Sequence, residues 1–77
     1  MDQPQPRFLT LEQVAEELST SFAQVYALVR RGELPAIRLG GRGQWRVERS
    51  MLEKFIADLY TESAQYVRNN PLSPGDD

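Results

Sequence analysis

The stretch Thr10-Leu11-Glu12-Gln13-Val14-Ala15-Glu16-Glu17-Leu18-Ser19-Thr20-Ser21-Phe22-Ala23-Gln24-Val25-Tyr26-Ala27-Leu28-Val29-Arg30-Arg31-Gly32 carries the signature of two short helices placed end to end. Thr10 and Gln13 have the spacing of a capping box, in which the two side chains satisfy orphan amides at a helix start. Leu11, Val14, Ala15 and Leu18 then recur at i, i+3, i+4 and i+7, one helical face, with Glu12, Glu16 and Glu17 opposite. Ser19-Thr20 interrupts the pattern, and Ser21-x-x-Gln24 repeats the capping signature at once. A second helix over Ser21–Arg31 turns Val25, Leu28 and Val29 inward and leaves Phe22, Ala23, Gln24, Tyr26, Ala27 and Arg30 on the other side. Gly32 supplies the C-terminal cap, and Arg30 and Arg31 sit favourably against the helix dipole. Two short helices joined by a tight turn make a helix-turn-helix.

The flanks extend this unit. Upstream, Arg7-Phe8-Leu9 is a short apolar lead-in after the polar, proline-containing tail Met1–Pro6. Downstream, Leu34-Pro35 cannot continue a helix. Ala36-Ile37-Arg38-Leu39 and Gln44-Trp45-Arg46-Val47 each alternate with period two around Gly40-Gly41-Arg42-Gly43, which predicts a β-hairpin. Ile37 and Leu39 on one strand, and Trp45 and Val47 on the other, are expected to cover the core. Arg38, Gln44 and Arg46 are then expected to point outward, with Arg38 and Arg46 on opposing strands of one face. Like charges so placed destabilise a hairpin unless a polyanion offsets them. From about Glu48 a longer helix begins, with Leu52, Phe55, Ile56 and Leu59 as its apolar stripe and Met51 beside it; its end lies between Tyr60 and Val67. The expected organisation is one domain over residues 7–68 between disordered tails at 1–6 and 69–77.

Composition narrows the function. In 77 residues there is no cysteine and no histidine, so disulfides, Cys/His metal sites and the corresponding nucleophile–base pairs are excluded. The lone lysine, Lys54, falls on the last helix, and Gly40–Gly43 is followed by a strand, not by the helix N-terminus that a nucleotide loop needs. No enzyme, cofactor or metal is expected. There is no apolar run of the ~20 residues that span a bilayer and no secretory signal pattern at the start, so the expected location is the cytoplasm.

The net charge of −2 conceals a strong local asymmetry. Residues 1–29 sum to −3 (Arg7 against Asp2, Glu12, Glu16 and Glu17), and residues 50–77 again to −3. Between them, residues 30–49 hold Arg30, Arg31, Arg38, Arg42, Arg46 and Arg49 against Glu33 and Glu48, a net +4. Arginine pairs bidentately with phosphate and guanine. A second helix of this kind enters the DNA major groove with its first residues against the bases. That makes Ser21, Ala23, Gln24 and Tyr26 the candidates there: Gln24 suits adenine, and Ala23 or Ala27 a thymine methyl. Arg30 and Arg31 at the helix end, and Arg38, Arg42, Gln44 and Arg46 on the hairpin, are the candidates for the backbone or minor groove.

Phe8 through Leu18, then Ser21 through Tyr26 and Val29 through Gly40, resemble the opening helices and first wing strand of the small excisionase-type, MerR-like winged helix-turn-helix domains. Arg31-Gly32-Glu33-Leu34-Pro35-Ala36 is the most specific part, and Trp45-Arg46-Val47 with Leu52–Ile56 resembles the second strand and closing helix. The resemblance implies an α+β, mostly helical winged helix-turn-helix that binds double-stranded DNA. It implies a small bacterial or phage transcription regulator, nucleoid-associated, or an excisionase-like directionality factor in recombination, with no small-molecule ligand and no membrane. A homodimer or a cooperative array on DNA fits so small a domain. The rival from another class is an adaptor whose arginine face docks an acidic protein.

Overall fold

A computed structural model describes residues 6–71; of the tails expected at 1–6 and 69–77, residues 1–5 and 72–77 lie outside the described residues, and Asn69 belongs to the last helix. The order is β1 (Phe8–Leu9), α1 (Leu11–Leu18), α2 (Phe22–Arg30), β2 (Ile37–Leu39), β3 (Gln44–Glu48) and α3 (Arg49–Asn69). The strands form one antiparallel sheet in the order β1-β3-β2.

Capping chemistry sets both helix starts. Thr10 accepts from the Gln13 amide at 3.1 Å while the Gln13 side chain accepts from the Thr10 amide at 2.9 Å, the complete capping box. Ser21 makes only half of the repeat: its Oγ accepts from the Gln24 amide at 3.1 Å, and the Gln24 side chain makes no hydrogen bond among the described residues. The turn between the helices bends at Ser19, whose φ of 54° is left-handed and whose amide reaches the carbonyls of Ala15 and Glu16. One left-handed residue closes α1 and lets Ser21 cap α2 two residues later.

The core is Leu9, Leu11, Val14, Ala15, Val25, Val29, Leu34, Val47 and Leu52, with Leu18, Leu28, Ala36, Trp45, Phe55 and Ile56 packed against it. The inward faces read for α1 and α2 are the faces that bury. Two core members come from segments whose periodicity is too short to read: Leu9 in β1, and Leu34, which follows α2 and is held there by its amide on the Leu28 carbonyl at 3.2 Å.

The lead-in Phe8-Leu9 is a strand, because β3 has a free edge beside it: Phe8 pairs with Glu48 and Leu9 with Val47. The Arg49 amide extends the ladder to the Arg7 carbonyl at 2.7 Å.

The hairpin register corrects the expected facing. Ile37 pairs with Arg46, Arg38 with Trp45 and Leu39 with Gln44. Directly opposed residues share a face of the sheet, so Arg38 lies on the side of Trp45, and Ile37 and Leu39 lie outward with Arg46 and Gln44. Ile37 and Leu39 are accordingly 46% and 45% exposed and do not cover the core. Arg38 and Arg46 do not face each other, and the like-charge penalty expected between them is absent. The cause is the length of the link. Four residues, Gly40–Gly43, put Leu39 opposite Gln44, and a shift of one residue exchanges every side chain between faces.

α3 is long and only partly supported. Leu52 is its one fully buried residue, Phe55 and Ile56 are half-buried, and every residue from Ala57 to Asn69 is exposed. No helix among the described residues is long and apolar enough to cross a membrane.

Candidate nucleic-acid interface

The candidate residues of α2 occupy its solvent side. Ser21, Phe22, Ala23, Gln24, Tyr26 and Arg30 are all exposed, and Val25 and Val29 anchor the opposite side in the core. Ser21 serves the cap, and its hydroxyl keeps a proton to donate. The Phe22 and Tyr26 rings stack, 6.0 Å between centroids and 11° from parallel. Arg30 continues the row: Nη1 donates to the Tyr26 hydroxyl at 3.3 Å and the guanidinium carbon lies 5.7 Å from the ring centroid. The i, i+4, i+8 spacing puts the three on one helical ridge.

The hairpin brings the second group. Arg42 stands in the glycine link, exposed. Arg38 folds over Gly43: a Cβ there would lie 3.2 Å from the Arg38 Nε, and Gly43 has a φ of +70°, so both space and backbone favour glycine. Gln44 is exposed on the outer face; Arg46 is half-buried, with Nη1 donating to the Trp45 carbonyl at 2.9 Å. The beginning of α2 and the turn end of β3 meet across one cleft lined by Glu12, Phe22, Gly43, Gln44, Trp45 and Arg46, which brings Phe22 near Gln44 and Arg46 of the wing.

The arginine band does not act as one. Arg31 pairs with Glu33 at 3.0 Å, which sets it apart from a free phosphate ligand. Arg49 is 18% exposed and bonds Glu17 at 3.4 Å, Glu53 at 3.7 Å and the Pro6 carbonyl at 3.3 Å, tying the start of α3 to α1 and the N-terminal lead-in. Arg30, Arg38, Arg42 and Arg46 have no carboxylate partner among the described residues. Sequence spacing places Arg31 near Glu33 and Arg49 at i,i+4 from Glu53; nothing local marks the other partner of Arg49, Glu17, which is 32 residues away. The Phe22–Tyr26–Arg30 ridge was legible as a spacing but not as a stack. Among the described residues no group of three or more Cys, His, Asp or Glu side chains converges to hold a metal.

Two capped helices at a tight turn, a buried inner face, a hairpin beside the second helix and a closing third helix define a winged helix-turn-helix, in which Arg30 of the second helix and Arg38, Arg42 and Arg46 of the wing have no carboxylate partner among the described residues. The helix-turn-helix domain family matches residues 8–60, most of the chain, and the protein belongs to this DNA-binding family, in its excisionase-like branch. The match does not confirm the MerR-like part of the resemblance. A comparison with curated proteins and one with solved structures found no match.

Proposed function

We propose that the protein binds double-stranded DNA with α2 in the major groove and the β2–β3 wing on the backbone or minor groove, as a small bacterial or phage transcription regulator. The observation that carries this is the placement of four carboxylate-free arginines, Arg30, Arg38, Arg42 and Arg46, on the end of α2 and the wing. Phosphate neutralisation supplies sequence-independent affinity, and base edges supply preference. In this reading Ser21, Ala23, Gln24 and Tyr26 face the groove; Arg31 is a weaker contributor because Glu33 must first release it. The protein acts in the cytoplasm, on nucleoid DNA, without cofactor or catalysis.

Gln24→Ala is expected to change which duplexes are selected while leaving the salt dependence of binding nearly as it was, because an amide contributes no counterion release. Selection from random duplexes, followed by mobility-shift titration at two salt concentrations, checks this. Failure of every duplex to be retarded at low salt would favour the adaptor reading instead. An excision role is separated from regulation by whether added protein drives recombination between attachment sites.

A homodimer fits the exposed half of α3. Counted outward from Ser63, Tyr60 and Tyr66 lie three residues away and Leu59 and Val67 four, all on one uncharged face. That arrangement is nearly self-complementary about a two-fold axis, with Tyr60 against the partner's Val67 and Leu59 against the partner's Tyr66 in an antiparallel pair. Tyr66→Asp would place two charges in this small contact. The variant is expected to sediment as a monomer at concentrations where the wild type dimerises.

A further inference from the structure

The groove face of α2 is poor in hydrogen-bonding groups. From Phe22 to Ala27 its exposed side chains are an aromatic ring, an alanine, one amide and a tyrosine. The Tyr26 hydroxyl accepts from Arg30 and keeps only its own proton to donate. Most of what this face presents is apolar surface, and its rings pack on one another. Phe22 is 47% exposed yet stacked on Tyr26, and Tyr26 is held from its other end by the Arg30 guanidinium. A ring immobilised before binding loses little further freedom on contact. Among the base edges of the major groove, the apolar feature is the methyl group on C5 of a pyrimidine.

We infer that the Phe22–Tyr26 stack, with Ala23 beside it, is a reader of pyrimidine 5-methyl groups, so that thymine is recognised through its methyl and 5-methylcytosine is accepted in its place. The inference rests on the placement of α2 in the major groove proposed above and adds what that helix selects. Gln24, whose side chain has no partner among the described residues, is left to hydrogen-bond a neighbouring adenine.

The test uses the full chain and a duplex selected by it from random sequence. A second duplex carries deoxyuridine for thymidine, which removes the methyl alone, and a third carries 5-methyl-deoxycytidine at its cytosines. Wild-type protein is expected to lose about fourfold in affinity for each buried methyl removed. It should gain a similar factor where a cytosine facing α2 is methylated. Phe22→Ala is expected to bind the thymidine and deoxyuridine duplexes alike. Equal wild-type binding to the thymidine and deoxyuridine duplexes overturns the inference, as does undiminished discrimination by Phe22→Ala. If thymidine and deoxyuridine are equivalent and Gln24→Ala still alters preference, the helix is in the groove and only methyl reading falls. If no duplex is retained at low salt, the DNA reading and this inference fall together.

Discussion

Leu52→Ala is expected to remove most of the protein's stability. Leu52 is completely buried, the single residue of α3 that is, and it joins a core of nine residues contributed by all three helices, β1, β3 and the segment after α2. Truncating a buried leucine costs about 2–5 kcal/mol through lost transfer free energy and the cavity left behind. A domain of this size has little to spare, since stabilities of about 5–15 kcal/mol are general and small chains sit at the lower end. Urea denaturation followed by circular dichroism should show the midpoint falling steeply or the transition vanishing at ambient temperature. Gln65→Ala, further along the same helix, is the comparison: Gln65 is exposed and off the Leu59–Val67 face, and its loss should move stability by no more than about 0.5 kcal/mol. Similar effects for both variants would contradict the view that α3 is anchored through its first turns.

Replacing Arg38, Arg42 and Arg46 together by alanine is expected to have the largest effect on binding. If each neutralises one phosphate, their loss lowers the slope of log affinity against log salt by about 2.7. The affinity lost between about 50 and 200 mM salt would then be about fortyfold smaller than for the wild type, with weaker binding to every duplex. Stability should change little, because the recorded protein contact of these guanidiniums is the Arg46 bond to the Trp45 carbonyl, alongside the Arg38 packing on Gly43. Titration of one duplex at several salt concentrations decides the matter; an unchanged slope would remove the wing from the interface.

The comparison between Arg49 and Arg42 shows how far the candidate site could be read in advance. Both lie in the same basic band. One is held by Glu17, Glu53 and the Pro6 carbonyl, and the other stands free on a glycine link. The i,i+4 spacing of Glu53 is the one local sign, and only folding brings Glu17 of α1 and the Pro6 carbonyl beside Arg49. The wing shows the same boundary. Alternation located β2 and β3, but the pairing of Leu39 with Gln44 was needed to decide that Ile37 and Leu39 face solvent and that Arg38 shares the side of Trp45. Alternation does not contain register, and register assigns the faces. β1 was hidden for a related reason: two residues have no period, and the edge of β3 alone makes them a strand.

The order of the elements from α1 to α3, the capped starts of α1 and α2, their buried faces and the concentration of arginine in the middle of the chain were all determined by the amino-acid sequence by itself. Each rests on interactions within a few residues, such as the amides that Thr10 and Ser21 cap and the spacing of Leu11, Val14 and Val25. Tertiary structure decided which arginines remain free, which side of the wing each side chain takes and how Phe22, Tyr26 and Arg30 come to lie in one stacked row. Those outcomes depend on partners distant in the chain, or on rotamers settled by contact. A charge count or a hydrophobic period contains neither.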